Sequence, residues 1–291
     1  MTRVVSLSIA RWDGQCPAAE RERALSALEQ GSVLLLPLLS FPLGEAESAL
    51  LSPAIAGKSK NVSFDVGSGL LRGSSASESQ LPVLRSMVQR FATSSRSLVR
   101  NLLPRYETGL VQGRTSYRPA EISNRSISWR KDDTRLHVDS FPSSPVRGRR
   151  ILRVFSNVNP HGEARTWRIG EPFETVARRY LPSLPPPVWG SSRVLEMLRI
   201  TKGPRSDYDH FMLRLHDRMK SDLDYQAKAD QLVHDFPAGC SWMVFTDQVS
   251  HAAMKGQYAF EQTFYLPVES MGTPAQAPLR VLERLKGRAL V

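Results

Sequence analysis

The chain has 291 residues, 41% of them hydrophobic and 23% charged, which is long enough for one large domain with a substantial core. Its two cysteines, Cys16 and Cys240, exclude a disulfide framework and a cysteine-rich zinc site. The formal net charge of +11 and the isoelectric point near 10.0 favour an anionic partner, such as nucleic acid, anionic lipid or an acidic small molecule. We expect neither a signal peptide nor a membrane anchor. The strongest apolar run, residues 33–43, contains two prolines and is shorter than the roughly 20 residues that span a bilayer.

The N-terminal third, residues 1–110, is predicted to contain helices with flanking strands. Residues 18–30 are rich in helix formers and are followed by Gly31, a natural helix end. The apolar residues 33–36 predict a buried strand. A long amphipathic helix is predicted over 81–103, because apolar side chains recur there mostly at helical spacing: Leu84, Met87, Phe91, Leu98 and Leu102.

From residue 125 onwards the apolar pattern changes towards the period of two that is typical of strands. Strands are predicted at 150–158, 241–246 and 258–266, and a helix-rich segment interrupted by prolines lies between 170 and 238, with its best helix at 208–225. This order predicts an α+β fold with a double-stranded β-helix core, that is, a cupin-like jelly roll. We predict a single domain over 1–291. Its core is formed by 111–168 and 237–268, a mostly helical insertion by 169–236 and a C-terminal tail by 269–291, and the N-terminal helices buttress one sheet.

Three side chains form a candidate metal site. His137 and Asp139 are two residues apart, so in an extended strand they point to the same face, and His251 follows Asp139 by 112 residues. Two imidazoles and one carboxylate on one face of a six-coordinate Fe(II) leave three positions open, which is the ligand pattern of non-haem iron oxygenases. The alternative is that each of these residues has only a structural role at a strand end. We predict that all three meet around one ferrous ion.

An oxygenase of this kind usually needs 2-oxoglutarate, whose distal carboxylate requires a cation. Residues 260–265, where many such enzymes carry an arginine, contain neither Arg nor Lys. We predict that Arg153 takes this role, because an arginine pointing into the barrel needs a carboxylate partner and its planar fork suits one. Asn157 and Gln262 are predicted to be additional neutral donors. The alternative is that Arg153 points to solvent.

Five segments make the chain closely similar to the Kdo hydroxylases, Fe(II)/2-oxoglutarate dioxygenases of Gram-negative bacteria that act on the 3-deoxy-manno-octulosonic acid (Kdo) of lipid A. The segments are RTSYRP (114–119), SWRKDDTRLHVD (128–139), RRILRVFSNVNP (149–160), YDHFMLRLHD (208–217) and FTDQVSH (245–251). The resemblance implies hydroxylation at C3 of a Kdo residue of Kdo-lipid A to give Ko. Such a reaction consumes O2 and 2-oxoglutarate and releases succinate and CO2. It also implies that the metal and catalytic residues are His137, Asp139 and His251.

The resemblance offers an explanation for the positive charge, because Kdo carries a carboxylate and lipid A carries phosphates. The candidate substrate-binding residues are basic: Arg118, Arg125, Arg130, Arg135 and Arg147. We expect a peripheral protein on the cytoplasmic face of the inner membrane of a Gram-negative bacterium, where basic residues favour an anionic surface.

Two other functions stay open at this point. One is a 2-oxoglutarate dioxygenase that acts on another acidic sugar or small molecule. The other is a basic nucleic-acid-binding protein, which is disfavoured because the arginines are not interleaved with exposed aromatic residues and no nucleic-acid motif is present. The oligomeric state is not predicted. The remaining histidines are expected to be surface or capping residues: His161, His210, His216 and His234.

Overall fold

The computed structural model describes residues 2–122, 128–188 and 190–291. In these ranges the chain forms eight α-helices and eleven β-strands. The helices are α1 (Ala18–Glu29), α2 (Glu45–Ser48), α3 (Leu81–Leu102), α4 (Phe173–Tyr180), α5 (Ser191–Met197), α6 (Asp207–Ser221), α7 (Leu223–Lys228) and α8 (Pro278–Lys286). The strands are β1 (Val4–Ser6), β2 (Val33–Leu36), β3 (Val62–Asp65), β4 (Leu70–Arg72), β5 (Val111–Arg118), β6 (Arg150–Asn157), β7 (Arg165–Ile169), β8 (Leu232–Phe236), β9 (Ser241–Phe245), β10 (His251–Lys255) and β11 (Ala259–Leu266).

Two sheets form the core. In the described part of the chain, the larger sheet has eight strands in the order β1-β2-β9-β6-β11-β5-β3-β4, and the smaller sheet has three, β10-β7-β8. All pairings are antiparallel except that of β1 with β2. The N-terminal third therefore supplies strands at both edges of the larger sheet, and the later strands supply its centre. The predicted jelly-roll core is confirmed.

The central strand β6 is buried along its whole length, and its two faces have different surroundings. On one face, Phe155 stacks on Trp242 with 5.0 Å between ring centroids and meets Trp167 of the smaller sheet edge-on at 5.1 Å. The other face carries Arg150 and Leu152 and lies against the N-terminal helices and the C-terminal segment. Side chains of this one strand thus pack both in the interface between the two sheets and in the core on the outer side of the larger sheet.

The N-terminal helices cover the outer face of the larger sheet, as the sequence predicts. Apolar residues of α1 and α3 form one buried cluster with sheet residues such as Met243 and Phe264. The predicted helices 18–30 and 81–103 correspond to α1 and α3 within one residue at each end. The predicted helix 208–225 is in fact two helices, because Asp222 has an extended backbone and its side chain accepts a hydrogen bond from the backbone N of Tyr225 (2.9 Å), capping α7.

Two predicted segments contain more structure than the sequence indicated. The insertion predicted for 169–236 consists of α4 to α7, but its last residues form β8, which pairs with β7 in the smaller sheet. The predicted tail 269–291 contains α8, whose Val281 and Leu282 are buried in the main core. Both segments therefore belong to the packed domain. Within the described ranges, no helix is long and apolar enough to cross a membrane.

Candidate metal centre and anionic cavity

His137, Asp139 and His251 converge, as predicted, with one ligand atom of each lying within 4.8 Å of the others. The first two do not lie on a strand of either sheet. Instead, His137 forms an isolated antiparallel bridge with His251, the first residue of β10. The backbone N of His137 donates to the carbonyl of His251 (3.0 Å), and the backbone N of His251 donates back to His137 (2.9 Å). The imidazoles are neighbours because their main chains are paired.

Both imidazoles are oriented by the same kind of hydrogen bond. The Nδ1 atom of His137 lies 2.7 Å from the carbonyl oxygen of Arg135, and that of His251 lies 2.8 Å from the carbonyl oxygen of Val249. An Nδ1–H that donates to a carbonyl leaves the lone pair of Nε2 for a metal. Burial lowers the pKa of both imidazoles, which favours the neutral form that a metal requires.

Asp139 completes the donor set. Its Oδ1 lies 3.7 Å from Nε2 of His137, and its buried Oδ2 makes no hydrogen bond with any described residue, although Nη2 of Arg153 lies 2.7 Å away. Burial opposes ionisation of this carboxyl, but the Arg153 charge, then His251 and the Thr246 hydroxyl, lower its pKa overall. Two neutral imidazoles and a buried carboxylate with an unbonded oxygen fit a divalent iron ion.

A row of alternating charges leads from the surface to Asp139. Lys60 pairs with Asp133, Arg118 lies 3.7 Å from Asp133 and 2.6 Å from Glu261, and Glu261 pairs with Arg153. The last link is the contact between Arg153 and Asp139. Each charge between the two ends of this row has an opposite neighbour on both sides, which offsets the cost of removing it from water.

A cavity of about 860 Å³ lies beside this row of charges. It is bordered by residues 61–67, by β5, β6 and β11, by residues 141–149 and by residues 202–204. Its cationic side chains are Arg114, Arg118, Arg147, Arg149, Arg153 and Lys202, and its acidic ones are Asp65 and Glu261. A cavity with this charge suits an anionic ligand. The three convergent side chains do not themselves border this cavity, which is linked to them through Arg153, the contact of Asp139. A second cavity of about 630 Å³, beside α4 and α8, contains neither these side chains nor Arg153 in its lining.

Arg153 points inwards, so the alternative of a solvent-facing arginine is wrong. Its Nη atoms already contact Asp139 and Glu261, and its Nε has no hydrogen-bond partner among the described residues. The carboxylates that we expected a bound ligand to supply are thus provided by the chain itself. The assignment of Arg153 to 2-oxoglutarate stays a prediction.

The two neutral donors proposed with Arg153 do not line the cavity. The Asn157 amide donates to the carbonyls of Glu163 (2.9 Å) and Phe236 (3.1 Å). Gln262 accepts a hydrogen bond from Thr115 (2.5 Å) and donates to the carbonyl of Gly113 (3.1 Å). Because side chains alternate along a strand, Glu261 faces the cavity and Gln262 faces the opposite side of the sheet. Their positions do not support a contact with the co-substrate.

The five arginines proposed for substrate binding occupy different places. Arg118 and Arg147 border the cavity. Arg130 lies over the ring of Trp129 and pairs with Asp217 at 3.2 Å. Arg135 donates to the carbonyl of Lys220 at 2.8 Å, which makes it part of the support of the His137 segment. Arg125 lies outside the described residues.

Several residues that support the site were missed or assigned differently from the sequence. Gln226 of α7 holds Leu136 through both backbone groups, at 2.7 and 3.0 Å, and thereby positions the residue next to His137. His216 is not a surface residue, because its ring is buried and meets that of His137 edge-on at 5.3 Å. Trp167 of β7 stacks on His251 at 5.2 Å. Only Glu261 had a sequence signal, since an acid at the centre of an apolar strand requires a cation.

The comparisons with known proteins agree with this geometry. A family model described as 3-deoxy-D-manno-oct-2-ulosonic acid (Kdo) hydroxylase matches residues 11–289. The chain is 46% identical to the Kdo hydroxylase KdoO, a non-haem Fe(II) α-ketoglutarate-dependent dioxygenase, solved with α-ketoglutarate and Fe(III), over 100% of this chain and 98% of that one, with a TM-score of 0.96. The cobalt(II) complex has the same identity and coverage and a TM-score of 0.97. No curated protein sequence matches the chain.

Proposed function

The chain belongs to the Kdo hydroxylase family, and on that premise we propose that it is an Fe(II)/2-oxoglutarate-dependent dioxygenase that hydroxylates the Kdo sugar of Kdo-lipid A. We propose C3 as the position, with Ko as the product and succinate and CO2 as the other products. The observation that carries this proposal is the convergence of His137, Asp139 and His251 beside a cationic cavity in a chain of this family.

The three convergent residues are proposed to hold Fe(II) through both Nε2 atoms and an Asp139 oxygen. Bound iron supplies the activation of O2, coupled to oxidative decarboxylation of 2-oxoglutarate (α-ketoglutarate), and the protein supplies orientation. The Arg153 guanidinium keeps Asp139 ionised, while Trp167 and the edge of His216 pack against the imidazoles. These contacts hold the ligand atoms in place and keep water away from the reacting positions.

The cavity cations are proposed to hold the anionic substrates. Both 2-oxoglutarate and Kdo carry carboxylates, and Arg118, Arg147 and Arg149 border the cavity together with Arg153. An arginine fork binds a carboxylate through two parallel hydrogen bonds, which fixes its orientation as well as its position. Because the substrate is a membrane lipid, we propose that the protein works as a peripheral protein on the cytoplasmic face of the inner membrane.

The direct test is incubation of the purified protein with Fe(II), ascorbate, 2-oxoglutarate and Kdo-lipid A, followed by mass spectrometry. We expect the sugar to gain one oxygen atom and an equal amount of succinate to form. The variants His137→Ala and His251→Ala should form neither product. Activity on free Kdo with none on the lipid-linked sugar would favour a soluble sugar acid as substrate, and activity on neither would refute the proposal.

A further inference from the structure

An exposed apolar patch lies on α5 and the loop that follows it. We define the patch as Val194, Met197, Leu198 and Ile200, whose exposed fractions are 49%, 76%, 60% and 52%. Val194, Met197 and Leu198 are three and four residues apart, so they lie on one face of the helix. A helix of a globular protein normally turns such a face towards the core. Here that face is turned to solvent, which marks an interaction surface.

Basic residues surround the patch. Residues 190–205 contain four cations, Arg193, Arg199, Lys202 and Arg205, and a single acid, Glu196. Apolar side chains next to cations match the two layers of a membrane surface, with acyl chains below and anionic head groups above. A protein partner with a mainly apolar surface would leave these cations without counter-charges.

The patch is attached to the rim of the cationic cavity. Thr201, directly after Ile200, is buried, and the backbone N of Lys202 donates to the carbonyl of Ser143 (2.9 Å). The guanidinium of Arg205 donates to the carbonyl of Pro142. Residues 202–204 also border the cavity itself, next to residues 141–149. A surface on which the patch rested would therefore lie next to the cavity entrance.

We propose that this patch inserts into an anionic lipid surface and thereby places the cavity entrance against the head groups. The proposal rests on the proposed function, since it assumes a substrate anchored in a lipid layer. The apolar side chains enter the boundary between head groups and acyl chains, while the surrounding cations contact anionic head groups. The sugar of an anchored substrate then reaches the cavity without leaving the membrane.

The test is co-sedimentation of the full chain with phosphatidylcholine vesicles, with and without phosphatidylglycerol. We expect the wild type to bind the anionic vesicles. The double variant Met197→Ser/Leu198→Ser should lower the partition coefficient by about tenfold or more, because two large apolar side chains no longer leave water. The matched control is Leu38→Ser, since Leu38 is 62% exposed but lies next to β2, outside the patch. This control should bind like the wild type.

Two further measurements distinguish a failure of the docking proposal from a failure of the proposed function. With substrate in detergent micelles, the double variant should turn over 2-oxoglutarate like the wild type, and with substrate in vesicles it should be slower by a similar factor of about ten. The docking proposal would be overturned if the double variant bound vesicles as well as the wild type does. It would also be overturned if the wild type formed a dimer and the double variant were a monomer. If vesicle binding depends on the patch but no Kdo substrate is hydroxylated, the docking surface stands and the proposed function fails.

Discussion

Arg150 and Arg153 lie three residues apart on β6, and both are buried beside a carboxylate, but on opposite faces of the sheet. On the outer side, the side chain of Arg150 is 0% exposed and all three of its nitrogens are used: by Asp247 (2.7 Å), Gln248 (2.6 Å) and the sulfur of Met271 (3.1 Å). On the cavity side, the side chain of Arg153 is 11% exposed and its Nε lacks a hydrogen-bond partner among the described residues.

We infer from this difference that Arg150 has a structural role and Arg153 a functional one. The Arg150 cluster is closed, with each polar group satisfied by another group of the chain, so its contribution is to stability. The Arg153 cluster is open to the cavity, because Arg153 and Glu261 border it and Nε of Arg153 has no hydrogen-bond partner among the described residues. A buried group without a partner is costly, and a bound ligand is one way to satisfy it.

The largest effects are expected when the carboxylate beside each arginine is replaced, which is Asp139 for Arg153 and Asp247 for Arg150. Asp139→Ala should abolish 2-oxoglutarate turnover, because it removes a proposed iron ligand, while the fold persists. Asp247→Ala should lower the free energy of unfolding by about 3–5 kcal/mol, because it leaves Arg150 as an unpaired buried charge. Urea denaturation and succinate formation measure the two quantities. Equal losses of stability in both variants would contradict the division into a closed and an open cluster.

Arg153 itself should affect the metal more than the fold. Arg153→Ala removes the charge that holds Asp139 ionised and in place, so we expect iron affinity or turnover to fall by about 10–100-fold. Iron titration and the KM for 2-oxoglutarate measure this. The control Arg153→Lys keeps the charge but not the fork, and it should recover iron affinity better than turnover. Unchanged iron binding in Arg153→Ala would show that the guanidinium does not support Asp139.

Replacing Gln226 tests whether the helical insertion, residues 169–236, positions the segment that carries His137. Gln226→Ala removes both hydrogen bonds to the backbone of Leu136 and leaves these buried groups unpaired, at an expected cost of about 1–3 kcal/mol in unfolding free energy. Iron affinity should fall as well, because the segment that carries His137 loses its clamp. Gln226→Glu retains the acceptor for the Leu136 N–H and should lose less. A variant that is destabilised but binds iron like the wild type would limit Gln226 to the fold.

The smallest effect is expected at His216. His216→Leu removes the edge contact with the His137 ring, which is worth about 0.5–1.5 kcal/mol for an aromatic pair. His216→Phe keeps that contact but loses the 3.0 Å hydrogen bond to Asp217, so it should retain most of the stability. A thermal melt measures both variants. Equal losses in His216→Leu and His216→Phe would show that the ring contact is not responsible.

Local patterns predicted the main elements, because period and end signals act over a few residues. The helices α1 and α3 and the central strands follow from such patterns. The meeting of His137 with His251 was predicted instead from the ligand set that iron requires, because the two residues are far apart in the chain. The face of β11 could not be decided in this way. Alternation places either Glu261 or Gln262 inwards, and only pairing with Arg153 selects Glu261. His216 and Gln226 were missed because their roles depend on how a distant insertion packs.

The bridge between His137 and His251 also implies that the complete donor set forms late in protein synthesis. One imidazole lies near the middle of the chain and the other near its end, so a nascent chain on the ribosome lacks the second ligand until most of the polypeptide has emerged. The three donor groups therefore come together only when β10 has paired with the segment that carries His137.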